Sequence, residues 1–142
     1  IVVAIILIIA AIAIPNLLRS RMAANEASAV GSLRTINTAA VTYSSTYQAA
    51  GYPTTLAELG PATSATSATA DLIDSVLASS TKSGYAFVFT GTGGGLPNTG
   101  YTVTAGPTAP GTSGQSTFYT DQSAVIRKDP TGTANSGSAP LQ

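Results

Sequence analysis

Six acids, six bases and a large number of hydroxyls supply the reactive side chains of this 142-residue chain, which contains no Cys and no His. Asp121 and Asp129, with Ser123 between them, offer the oxygen ligands that calcium takes. Hard cations want several carboxylates, however, and a turn Asp followed by a loop Asp is the plainer reading. Asp71 and Asp74 stand three apart in DLIDSVLAS, where Asp71 is expected to cap a short helix rather than form half of a catalytic pair. Serine nucleophiles abound, but Lys82 and Lys128 are the only amines to serve them as base, which argues against Ser–Lys hydrolysis. The glycine run Gly91–Gly95 (GTGGG) follows a strand signal and leads into Leu96-Pro97. It has no following helix and no Gly-Lys-Ser/Thr to hold a phosphate. Without Cys there are no disulfides or thiolate metal sites, and without His the commonest general base is gone. The expectation is a protein that is not an enzyme and carries no cofactor or metal.

The surface is expected to be polar but almost uncharged. Charged residues make up 8% of the chain against 16 Ser and 21 Thr, and the formal net charge is zero. That balance does not steer the chain toward nucleic acid. It does favour close packing of identical copies, because little like-charge repulsion opposes it. The Ser/Thr-rich stretches 62–69 and 131–138 are candidates for O-linked sugars, whereas no Asn-X-Ser/Thr sequon is present.

The elements that must position these groups divide sharply. From Leu17 to about Ala50 the positions Leu18, Met22, Ala29, Leu33, Ile36, Ala40, Tyr43 and Tyr47 recur at spacings of three and four. They form one face of an amphipathic helix, with Arg21, Asn25, Ser28, Ser32, Arg34 and Thr42 on the other. Gly51-Tyr52-Pro53 stops it. Thr55–Leu59 reads as one helical turn and Asp71–Ser79 as a short helix, separated by a low-complexity stretch. Strands are predicted at Tyr85–Thr90, Tyr101–Thr104, Thr117–Thr120 and Val125–Arg127, and the tail from Asp129 as loop. A long helix followed by antiparallel strands is an α+β arrangement. The helix stripe and the face carrying Tyr85, Phe87, Phe89 and Val103 are expected to cover each other, which gives the nine aromatics ordinary core roles.

The most telling stretch has no chemistry at all. Ile1, Val2, Val3, Ala4, Ile5, Ile6, Leu7, Ile8, Ile9, Ala10, Ala11, Ile12, Ala13 and Ile14 carry no polar side-chain atom and run into Pro15-Asn16 and the basic Arg19 and Arg21. As a helix, fourteen residues span ~21 Å, short of the ~30 Å of a bilayer core. With no Met at its start, no basic lead-in and no cleavage site, an intact signal peptide is not expected. A processed or truncated N-terminus is, its apolar stretch once continuing upstream. Pro15 lacks an amide hydrogen and opposes the Ala11 carbonyl, so a break in the helix is expected over Ala10–Asn16.

Ile1–Arg21, IVVAIILIIAAIAIPNLLRSR, resembles the N-terminal signature of type IV pilins and of the related type II secretion pseudopilins. Gly51–Gly60 (GYPTTLAELG) and Ser116–Arg127 (STFYTDQSAVIR) resemble a pilin group of environmental Gram-negative bacteria. The resemblance implies a ladle-shaped α+β fold: a hydrophobic arm over 1–22, and a head over 23–142 in which the amphipathic half-helix packs on a small 3–4-stranded antiparallel sheet. The family's mature chain opens on a methylated aromatic residue, followed by an acid that pairs with a neighbour's N-terminus. Neither stands in this sequence, nor does the C-terminal disulfide loop of many pilins.

By that resemblance the chain is expected to be a structural subunit. It would sit in the inner membrane as a precursor, be handled by the pilus assembly machinery, and polymerise through Ile1–Ile14 into an extracellular filament of identical copies. Such filaments serve surface attachment or motility. Two alternatives stand beside it: a major pseudopilin, which a calcium site would favour, and a monomeric membrane-anchored binding domain. A lone anchor does not explain why an amphipathic helix continues for a further thirty residues.

Overall fold

The computed structural model describes residues 1–141. One helix, α1 (Val2–Thr46), runs for 45 residues, a rod of ~68 Å at the usual rise per residue. Pro15 lies inside it, and the expected break over Ala10–Asn16 is absent. The φ that proline fixes is itself helical, so the cost is one missing hydrogen bond and some local bending, which intact turns on either side sustain. The helix ends at Tyr47, whose amide closes on the Tyr43 carbonyl. Gly51 follows with φ of +72°. A Cβ there would strike the Asn98 backbone, so the position requires glycine.

Among the described residues six strands follow: β1 (Thr81–Lys82), β2 (Tyr85–Thr92), β3 (Gly100–Pro107), β4 (Thr117–Asp121), β5 (Arg127–Asp129) and β6 (Ala139–Pro140). They lie in one antiparallel sheet in sequence order, β1 to β6. The fold is thus α+β, with a sheet larger than the three or four strands expected. The additions are short edge pieces, and β6 lies in the tail that was expected to be loop. Its residues pair with Arg127 and Lys128, and Ala134 beneath the tail is buried. A Ser/Gly/Pro composition hides such a strand because none of its residues has strand propensity.

Register explains the core. Phe87 pairs with Ala105 and Phe89 with Val103 across β2 and β3; Ala105 pairs in turn with Phe118 and Val103 with Thr120 across β3 and β4. Large and small residues therefore alternate along the buried face, which packs on Leu33, Ile36, Ala40 and Tyr43 of α1. Phe89 stacks on Tyr101 with ring centroids 5.2 Å apart. Tyr47, placed in the same stripe, is only partly buried at its end.

The expected polar face of α1 is wrong in part. Ser32 is buried, Asn25 donates to the Ser113 carbonyl at 2.8 Å, and Ser28 bonds Ser83 at 2.9 Å. Asn37 is also buried, taking Tyr101 and Thr120 as partners. The helix is held between apolar residues and a fringe of hydrogen bonds, so its inner face is wider than hydrophobic periodicity alone reveals. The second helix is also shorter than expected. Leu56–Leu59 makes a 3-10 turn, and α2 covers only Ser75–Ala78.

Candidate assembly surface

Each large apolar side chain of α1 from Ile1 to Leu17 is more than half exposed. Among residues 1–21 only Ala10 is even partly covered. α1 gains its first buried side chains only at Ala29 and Val30, about four turns beyond Pro15. By length and composition α1 is apolar enough to cross a membrane. Beyond the first turn, and apart from the Ala11 carbonyl opposite Pro15, backbone hydrogen bonds are satisfied within the helix, so side chains largely decide what surrounds Ile1–Ile14, and every one of these is apolar.

Arg19 and Arg21 mark where the apolar surface stops. Both are exposed, and neither forms an ion pair among the described residues. The next charged group up the helix is Glu26, the sole acid of the first 57 residues. Its Oε1 accepts the backbone N–H groups of Gln115 and Ser116 at 3.1 and 3.0 Å, and its Oε2 meets Lys128 Nζ at 3.1 Å. Lys128 also lies over the Phe118 ring, 5.8 Å from its centroid. Partial burial pushes the Glu26 carboxyl up, but the two backbone donors and Lys128 outweigh it and hold the group below its ordinary value. Glu26 therefore clamps the helix to the last strands at the point where the arm leaves the head. Sequence periodicity gives no hint of this; the one available signal is an isolated acid in a long uncharged helix.

Of the four acids with apparent chemistry, Asp74, Asp121 and Asp129 have structural partners. Asp74, not Asp71, caps α2: its Oδ1 accepts the Leu77 amide at 2.8 Å and its Oδ2 pairs with Lys82 at 3.0 Å. Asp71 stands outside the helix with φ of +56°, a left-handed conformation that Asp tolerates better than most residues. Asp121 accepts the Ser123 amide at 2.9 Å, and Asp129 accepts those of Thr131 and Gly132 at 3.0 and 2.8 Å. Each carboxylate thus closes its own turn. Gly91–Gly95 forms the end of β2 and an exposed loop. Three tyrosines, Tyr43, Tyr85 and Tyr101, are pushed up to about 12, chiefly by burial.

The geometry provides a packed head, a projecting apolar helix, and between them Arg19 and Arg21, which pair with no acid among the described residues. No protein-family model, curated protein or solved structure matches the chain.

Proposed function

We propose that the chain is the repeating subunit of a type IV pilus-like filament, with Ile1–Ile14 packed against the same segment of other copies. The observation that carries this reading is the arm: eleven large apolar side chains between Ile1 and Leu17, all more than half exposed. Burying what remains exposed contributes on the order of 1 kcal/mol per side chain, so roughly ten per copy. That is comparable to the ~4–15 kcal/mol that association costs in lost freedom, before any contact of the heads is counted. Small residues at Ala4, Ala10, Ala11 and Ala13 let neighbouring helices approach closely.

A membrane is the natural holding place for the arm before assembly, since lipid and neighbouring arms are equally dry. Moving from one to the other keeps the burial and leaves packing to decide. The pseudopilin alternative would use Asp121 and Asp129 as calcium ligands; each of these carboxylates accepts backbone amides of its own turn through Oδ1.

Electron microscopy of filaments from cells making the full chain is the test, with Ile8→Asp as the variant. A carboxylate in mid-arm is buried unpaired in every copy, at a cost of several kcal/mol. Long fibres from the parent and none from Ile8→Asp are expected. Normal fibres from Ile8→Asp would overturn the reading.

A further inference from the structure

Arg19 and Arg21 carry the only charged side chains among the first 25 residues. Both are exposed and neither pairs with an acid among the described residues. Two positions along a helix turn a side chain by about 200°, so the two arginines leave α1 in nearly opposite directions. Arg19 lies within about 40° of Leu33, beneath the head, whereas Arg21 is turned about 120° from Leu33 the other way. A folded partner lying along one side of α1 meets one of them and misses the other. A layer of lipid headgroups surrounds the helix at a single level and meets both.

Side chains on a helix lean toward its N-terminus, which for these two is toward the apolar arm. Arg21 accordingly shares a shallow cleft with Ile14, Leu17 and Leu18. Its stem covers apolar surface there while the charged end can turn outward to polar groups. Both positions hold arginine rather than lysine, and the planar guanidinium fork matches phosphate oxygens. The head meets α1 next through the Ser113 carbonyl on Asn25 and through Leu141, which lines a cleft with Ala23. The segments that supply these contacts, 108–116 and 130–141, contain no charged residue. Two acids belong to this end of the head: Glu26, paired with Lys128, and Asp129, whose carboxylate accepts the Thr131 and Gly132 amides.

We propose that Arg19 and Arg21 bind lipid phosphates at one surface of a bilayer, on opposite sides of α1, and so fix how deep the helix sits. The inference rests on the reading of a membrane as the holding place of the arm, and adds the ligand at its rim. With the guanidinium groups near the level of Leu17, the contacts at Ala23 and Asn25 fall ~9–12 Å further along the helix. That is just outside a headgroup layer of ~5–8 Å, so the head stands clear of the lipid. Anionic lipid is favoured over zwitterionic, because two cations face the layer from one level.

The test uses the full chain reconstituted in vesicles of phosphatidylcholine with phosphatidylglycerol. The arginine guanidinium carbons are labelled and read by solid-state NMR for dipolar contact with lipid phosphorus. Of the four arginines, Arg19 and Arg21 are expected to show contact, and Arg34 and Arg127 none. The contacts are assigned by their loss, one in Arg19→Gln and the other in Arg21→Gln. The preference for phosphatidylglycerol at the helix boundary, measured with spin-labelled lipids, should fall about fivefold with each substitution. It should also weaken between about 0.05 and about 0.5 M salt. Chains that float with the vesicles yet show no phosphorus contact, or contact at one arginine alone, overturn the inference and leave the membrane reading standing. Equal contact with inorganic phosphate in lipid-free detergent overturns it too, since a free anion then serves as well as a bilayer. Chains that do not float with vesicles fail the membrane reading itself, and this inference with it.

Discussion

The Tyr101 hydroxyl donates to Asn37 Oδ1 across 3.0 Å, in the middle of the seam between α1 and the sheet. The Asn37 amide nitrogen reaches Thr120 Oγ1 at 3.0 Å, and the Thr120 hydroxyl contacts Asn37 Oδ1 at 3.3 Å. All three residues are buried, so the triad is a closed polar island in an apolar core. Asn37→Ala should cost ~1–3 kcal/mol, since it strands the Tyr101 and Thr120 hydroxyls. Tyr101→Phe should cost less, because Thr120 still serves Asn37. In urea unfolding the double variant should fall short of the sum, the mark of a shared network.

The aromatic face of β2 makes a larger prediction. Phe87 and Phe89 are 2% and 8% exposed, and truncation of either to Ala should cost ~3–5 kcal/mol. Single substitutions in the exposed stretch 63–68 should stay within about 0.5 kcal/mol. Urea midpoints of the two sets would separate core from border. A large loss in the loop beside a small one at Phe87 would reverse the assignment.

Glu26 adds a dependence on pH. Its folded carboxyl lies below the ordinary value of 4.5, so the unfolded chain takes up its proton first as pH falls. The contribution is therefore complete above that value and is lost as pH drops through the lower, folded one. Glu26→Gln should lower the melting temperature at neutral pH and differ less from the parent near pH 3. An equal deficit at both values would show that the carboxylate charge is not what holds the helix.

Gly114 gives a steric check. A Cβ on this residue would run into the Tyr85 ring and hydroxyl, and Tyr85 is fully buried with its hydroxyl on the Ser116 carbonyl at 2.9 Å. Gly114→Ala should destabilise the head by ~1–3 kcal/mol as the ring is displaced. Gly94, whose surroundings are open, sits at φ of +76° and should lose only the smaller cost of left-handed backbone on the same substitution.

What the sequence made legible was whatever rests on periodicity. The stripe through Leu33, Ile36, Ala40 and Tyr43 and the alternation Tyr85, Phe87, Phe89 each repeat often enough to define a face, and both faces meet in the structure. Glu26, Asn37 and the partners of Ser28 were not legible, because a polar residue on a helix reads the same whether it faces water or a strand ninety residues away. Asp71 opens the apolar run and so reads as the cap, yet Asp74 is the one within reach of a free helix amide. Pro15 was expected to interrupt a helix whose length and continuity on both sides outweigh a single lost bond. The arm itself needed no pattern, since fourteen apolar residues in a row leave no other face to assign.

The two outermost strands have a consequence for crowded surroundings. β1 and β6 are two residues each, and β6 includes Pro140, which has no amide to offer. Strands this short offer little backbone of their own on which a further strand could form. Molecules held at very high local density are exposed to runaway cross-β growth, and here that route is blunted at both rims. Short, proline-bearing rims thus lower the chance that the head's own backbone seeds misfolded fibres where heads crowd together.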